Sequence, residues 1–280
     1  MNKITLLSGA AALATVVTFA SCGGNAKTET ASEQGTKSLI VYYSQTGATK
    51  QVADLLQQKT GADLESLQLV NPYDGDFQQT IARCQEEMAS GQMPELQPLT
   101  HQIADYDTIY IGYPVWFGTY AMPIASLVKE NDFSGKVVVP FCTFGSGGNT
   151  SIPKLLEALP GIKKMVPGYG VRNARVQKAS EELDAYLVAR GIVAGEAKEA
   201  PVYGEQHELS ADEQAVFDEA CGSYQMPLGT PVSVASCVLS DGTYYLYKVQ
   251  NGADENLSEI YVIKDNAEGS VAEFTQVFRY

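Results

Sequence analysis

Positive charge is what this chain has least of: 19 lysines and arginines face 33 aspartates and glutamates, for a formal net charge of −14. An acidic surface of that size repels phosphate backbones and anionic headgroups, so neither nucleic-acid binding nor a basic membrane-surface patch is expected. Histidine is scarcer still, with only His101 and His207. Together with the absence of any Cys-x-x-Cys pair, this leaves no metal-ligand cluster. A hydrolytic nucleophile needs a base beside it, but His101 lies in an ordinary Thr-His-Gln stretch, His207 in a linker, and no Gly-x-Ser-x-Gly elbow exists. The acids form no recognisable catalytic pair. Neither Gly-x-x-x-x-Gly-Lys-Ser/Thr nor the dinucleotide pattern Gly-x-Gly-x-x-Gly is present.

Long apolar runs are missing except at the start. Residues 1–21 carry Lys3, then an apolar stretch through Leu6, Leu7, Leu13, Val16, Val17 and Phe19, then small residues before Cys22, which reads as an export signal. Phe19-Ala20-Ser21-Cys22 resembles the lipobox of bacterial lipoproteins. That resemblance implies a lipidated Cys22, a flexible polar tether over residues 22–36, and a protein anchored by lipid alone to the bacterial cell envelope, facing the periplasm. Of the other four cysteines, Cys84, Cys142, Cys221 and Cys237, the last two could form a disulfide in an exported compartment or remain buried thiols.

The remaining chain is rich in βα units. Ser38–Tyr43 is a short, largely apolar strand, and Val52, Leu55, Leu56 and Lys59 repeat at helical spacing until Gly61. Between them lies Ser44-Gln45-Thr46-Gly47-Ala48-Thr49, three hydroxyls and a glycine at a helix N-terminus. Such a loop makes an uncharged phosphate pocket, because the first N–H groups of a helix have no internal partners. Further strands are expected over Leu64–Val70, Tyr106–Pro114, Lys136–Thr143 and Met165–Arg172, with helices over Phe77–Ser90, Ile124–Glu130, around Ile152–Leu159, and Ser180–Arg190. Arg83, on the second of these helices, reads as a solvated residue.

The strand ending at Pro114 opens into Pro114-Val115-Trp116-Phe117-Gly118-Thr119, with the only tryptophan of the chain. The strand ending at Thr143 opens into Thr143-Phe144-Gly145-Ser146-Gly147-Gly148, followed by Asn149 and Thr150. Ligands of open α/β sheets bind outside the carboxyl ends of the strands, where all three loops fall. Ser44-x-Thr46-Gly47-x-Thr49 after a first strand resembles the phosphate loop of flavodoxins, and Pro-x-Trp-x-Gly resembles their second flavin loop. The resemblance covers residues 37–192. It implies a doubly wound five-stranded parallel sheet binding FMN, with the phosphate on Ser44, Gln45, Thr46, Gly47, Ala48 and Thr49. Trp116 would cover the ring, Phe117, Gly118 and Thr119 would sit near its reactive edge, and Gly145 to Gly148 at its pyrimidine end.

Residues 193–205 read as a linker. Beyond it Ser210-Ala211-Asp212-Glu213 is a capping box, and strands are expected over Val232–Leu239, Thr243–Val249, Ile260–Lys264 and Val271–Phe278, the first two joined at Asp241-Gly242. One helix and four antiparallel strands make a small α+β domain over residues 206–280, cystatin-like by analogy. Tyr244, Tyr245, Tyr247 and Tyr261 are expected as half-buried sheet packing. Two functions compete: an FMN protein that transfers electrons to a basic partner or reduces a small acceptor such as a quinone, and a binding or structural lipoprotein that keeps the scaffold without redox chemistry.

Overall fold

In the first strand, β1 (Ser38–Tyr42), side chains alternate between two buried faces. Leu39 and Val41 join one core, Ile40 and Tyr42 the other, and all four are buried. A strand buried on both sides needs helices on both, which is how a parallel doubly wound sheet is built. The computed structural model describes residues 36–147, 151–226, 228–252 and 257–279, the side chain of Phe77 apart. These belong to one compact unit. The expected export signal over residues 1–21, Cys22, the tether as far as residue 35, and Gly148, Asn149 and Thr150 lie outside the described residues.

After β1 come α1 (Ala48–Thr60), β2 (Asp63–Ser66), α2 (Phe77–Ser90), β3 (Thr108–Trp116), β4 (Thr119–Tyr120), α3 (Met122–Glu130) and β5 (Val137–Phe144). The unit continues with α4 (Ser151–Glu157), β6 (Lys164–Met165), β7 (Tyr169–Arg172) and α5 (Ala179–Ala189). The parallel order is β2-β1-β3-β5, with β6 and β7 sharing the fifth place beside β5. Helices α1 and α5 bury Val52, Leu56, Leu183 and Leu187 on one face, while α3 and α4 bury Ile124, Leu127 and Leu155 on the other.

Two strands of the parallel sheet differ most from expectation. The second stops at Ser66 instead of Val70, and Leu69 makes only an isolated bridge to Leu96. The fifth breaks into β6 and β7 around Pro167 and Gly168. Proline has no N–H for the ladder, and Gly168 approaches β5 so closely that a Cβ would stand 2.8 Å from the Pro140 carbonyl. The second helix spans the expected residues, closed by an Asp76/Gln79 capping box and by Gly91 in the left-handed region.

The C-terminal part holds α6 (Ala211–Cys221), β8 (Thr230–Val238), β9 (Gly242–Gln250), β10 (Ser258–Asp265) and β11 (Glu273–Phe278). Both bonds of the Ser210/Glu213 capping box are present, and the strands form an antiparallel meander in the order β11-β10-β9-β8. Helix α6 covers one face through Val216, Phe217, Ala220 and Cys221, against Val234, Tyr247, Ile260, Val262 and Phe274. The last strand begins at Glu273, since Val271 is exposed. Tyr247 is buried, while Tyr244, Tyr245 and Tyr261 are half-buried. Cys84, Cys142 and Cys221 are buried and Cys237 half-buried, none of them in a disulfide, so Cys221 and Cys237 are not joined.

Cations after β7 tie the two sheets together. Arg175 pairs with Glu182 at 2.7 Å and with Glu273, and Lys178 reaches Asp265 and Glu273 at 2.9 Å each.

Candidate functional site

The loop from β1 to α1 is opened by Gly47, whose φ of 92° lies in the left-handed region that favours glycine. Its hydrogens face open space, so the conformation rather than crowding requires glycine here. The carbonyl of Gly47 accepts from Gln51 N–H at 3.0 Å, and Ser44 Oγ accepts from Lys50 N–H at 3.2 Å. The N–H groups of Ala48 and Thr49, in the first turn, have no acceptor within the helix. Thr49 is buried, and its hydroxyl is held by that of Thr143 at 2.9 Å. Thr46 is exposed.

Gln45 fastens this loop to the next. Tyr43 donates its hydroxyl hydrogen to Gln45, whose Nε2 donates to the Tyr73 carbonyl at 2.7 Å. Tyr73 in turn donates to Glu87. Arg83, expected to be solvated, keeps part of its side chain exposed but also donates to Glu87 at 2.8 Å and to the Pro72 carbonyl at 2.8 Å, with its guanidinium 4.1 Å from the Tyr73 ring centroid. An aromatic and a carboxylate four residues on give the guanidinium a better seat than water does. Arg83 is thus a strut of the loop.

Trp116 stands edge-on against Tyr43 and Tyr73, with ring centroids 5.9 and 5.3 Å away. Its position is fixed by a tight hairpin in which Trp116 pairs with Thr119 and Val115 with Tyr120. The two turn residues, Phe117 and Gly118, have φ of 50° and 71°. Phe117 is the sole non-glycine in the left-handed region among the described residues, and it is 49% exposed. A two-residue turn of this kind requires positive φ at both central positions, which a phenylalanine adopts only at a cost in strain. Lys154 donates to the Gly118 carbonyl at 3.0 Å and steadies the hairpin tip.

The three loops meet at the carboxyl ends of β1, β3 and β5 in a cavity of about 660 Å³. Among the residues expected from sequence, Gln45, Thr46, Pro114, Val115, Trp116, Phe117, Thr143, Phe144 and Gly145 line it. Ser44, in the loop, and Gly47, Ala48 and Thr49, at the N-terminus of α1, adjoin Gln45 and Thr46 in the chain but do not line the cavity, and neither do Gly118, Thr119, Ser146 and Gly147. Phe144 touches the cavity but is only 2% exposed and belongs to the core.

Sequence reasoning missed Gly75, Thr80, Ile81, Cys84, Asn173 and Met226, which complete the wall. Thr80, Ile81 and Cys84 share one face of α2, a spacing visible in the sequence but with no ligand signal attached. None of the lining residues is a carboxylate or a cation. Burial, with the nearby Glu87, pushes the Cys84 thiol up to about 11, so it stays protonated at neutral pH. Burial likewise raises the phenols of Tyr43 and Tyr73.

The two histidines take no part in this cavity. His101 Nδ1 lies 2.6 Å from Glu65, which also accepts the backbone N–H groups of Thr100 and His101 at 3.1 Å. His207 pairs with Glu213 at 2.9 Å and bridges to Val234.

Comparison with known proteins yields one family: a model described as Flavodoxin matches residues 37–189. Among solved structures, a candidate flavoprotein from Bacteroides uniformis is 29% identical, covering 54% of this chain and 99% of its own, with a TM-score of 0.47. A flavoprotein from Lactobacillus acidophilus in complex with FMN is 28% identical, covering 52% of this chain and 99% of its own, with a TM-score of 0.44. No curated protein matches the chain.

Proposed function

The chain belongs to the flavodoxin family, and on that premise we propose that it is an FMN-binding redox protein that transfers electrons to a basic partner or reduces a small acceptor such as a quinone. The observation that carries this reading is the convergence of three separate loops on one uncharged cavity, with a helix N-terminus and the only tryptophan of the chain both at its edge.

The residues fit the coenzyme. The N–H groups of Ala48 and Thr49, with the hydroxyls of Ser44 and Thr46, suit the phosphate, and the dipole of α1 favours its negative charge. Thr49 contributes chiefly through its backbone N–H, since its side chain is buried with its hydroxyl against that of Thr143. Trp116, held edge-on by two tyrosines, offers a rigid aromatic surface to a flat ring. In the third loop the carbonyls of Gly145 and Ser146 accept from Arg172 and Val277, so its N–H groups are what it offers to the polar rim of the ring.

When bound, FMN supplies one- and two-electron transfer through its ring. The protein binds and orients it and sets its electrostatics. With no cation lining the cavity and a net charge of −14, the surroundings disfavour added negative charge on the ring.

The leader and Cys22 support export and lipid anchoring to the cell envelope, a reading tested by moving the protein out of the membrane fraction with Cys22→Ser. The flavin reading is tested on purified protein lacking residues 1–22. A yellow protein that is reversibly reduced by dithionite, and whose flavin is lost on Trp116→Ala, supports it. A colourless protein that takes up no added FMN points to the non-redox binding scaffold.

A further inference from the structure

Among its described residues, 143–147, the third loop has little with which to cover a ligand. Phe144 is turned into the core, Ser146 is buried, and Gly145 and Gly147 have no side chains. The C-terminal part of the chain stands against this loop. Arg172, 8% exposed, donates from Nε to the Gly145 carbonyl at 2.9 Å and from Nη1 to the Phe274 carbonyl at 2.8 Å. Its guanidinium lies 3.3 Å from the centroid of the Phe274 ring. Val277 N–H donates to the Ser146 carbonyl at 3.1 Å, and the Tyr224 hydroxyl lies 3.2 Å from where a Cβ on Gly145 would stand.

Burying a guanidinium is costly unless its hydrogen bonds are satisfied. Here the satisfied bonds run from the third loop to β11. A domain attached merely in tandem has no need to place a buried cation at this spot. The same arrangement brings Met226, just after α6, to the wall of the cavity shared by Trp116, Phe117 and Gly145. Met226 is 55% exposed, as several apolar side chains of this chain are, and what sets it apart is its place in the cavity wall. A flexible, polarisable thioether suits contact with an aromatic plate.

We propose that the C-terminal α+β part is an integral wall of the flavin site, with Met226 covering bound FMN and Arg172 positioning the third loop beneath it. This rests on the FMN reading above. The two parts of the chain then act as one binding unit, and any partner or acceptor approaches the flavin past Met226 and Phe117.

The test uses the protein with both parts intact and compares wild type, Met226→Ala, Met226→Leu and, as a control on β8, Val238→Ala, which is 75% exposed and outside the cavity. Three quantities are read: the FMN dissociation constant by fluorescence quenching, the visible spectrum of bound flavin, and the melting temperature. Losing one half-buried methionine contact weakens FMN binding about tenfold in Met226→Ala, as partial burial of such a side chain implies. The bound flavin spectrum changes with it, Met226→Leu recovers most of the affinity, and Val238→Ala is silent. Melting is unchanged throughout. If wild type binds no FMN, the flavin reading itself fails. If wild type binds FMN and Met226→Ala matches it in affinity and spectrum, this inference alone is overturned.

Discussion

Phe117→Asn isolates the reason for the strained hairpin tip. Phe117 sits at φ 50° immediately before Gly118 at 71°, the pattern of a two-residue turn in which both central residues have positive φ. Asn-Gly is the preferred dipeptide for that turn, and a non-glycine side chain there costs about 1–2 kcal/mol. Against this relief stands the lost burial. The side chain is 49% exposed, so roughly half of the ~1.5–3 kcal/mol of a fully buried phenylalanine is forfeited. The two effects nearly cancel, and the ligand-free variant is expected to melt within a few degrees of wild type. Phe117→Ala loses the same contacts without the tolerance of asparagine for positive φ, so it should be less stable than Phe117→Asn by about 1 kcal/mol, or roughly 2–4 °C for a domain of this size. Both variants should bind FMN more weakly, because both remove a cavity-lining ring. Thermal melts and flavin titrations of the pair decide the matter. If the alanine variant is as stable as the asparagine variant, the backbone is not strained in solution; if both bind FMN like wild type, the strain serves something other than the cavity.

Replacing Thr143 by Val leaves the buried Thr49 hydroxyl without its partner and should cost about 1–2 kcal/mol, while the Thr49→Val, Thr143→Val double variant recovers most of it in a denaturant-unfolding cycle. Arg172→Leu removes the donor shared by two carbonyls and should lower stability by about 2–4 kcal/mol, measured by urea unfolding. Burial raises the thiols of Cys84 to about 11 and of Cys142 and Cys221 to about 12. A raised acid favours its neutral form in the folded state, so this stabilisation is whole below the ordinary thiol range near 9 and is lost as pH climbs from there to about 12. Melting temperature should therefore fall steeply over that alkaline window, and the Cys142→Ala variant should show a shallower fall than wild type.

Much of the first sheet was legible because its signals are local. The continuous apolar run Leu39–Tyr42, the capping glycines Gly61 and Gly91, and the hydroxyl-rich turn at Ser44–Thr49 each act within a few residues. What was not legible depends on contacts across the chain. Nothing near Arg83 in sequence announces that it will lie over Tyr73, and the interruption at Pro167 becomes a break only because Gly168 presses on Pro140. The same holds at the site. Trp116 and Gly47 were visible as motif residues, whereas Thr80, Asn173 and Met226 enter the cavity through packing of distant elements. Thr49 shows the limit of motif reading, since its hydroxyl turns inward to a threonine 94 residues away.

The central claim is that the uncharged helix N-terminus at Gly47–Thr49 grips a phosphate while the cavity beside Trp116 takes a flat ring. Titration of the flavin-free protein with FMN and with riboflavin, which lacks the phosphate, tests both halves at once. The account predicts tight binding of FMN, weaker binding of riboflavin by about a hundredfold, equivalent to about 2.7 kcal/mol, and loss of that difference in Gly47→Val. Equal affinity for the two flavins, or a preference untouched by Gly47→Val, would contradict it.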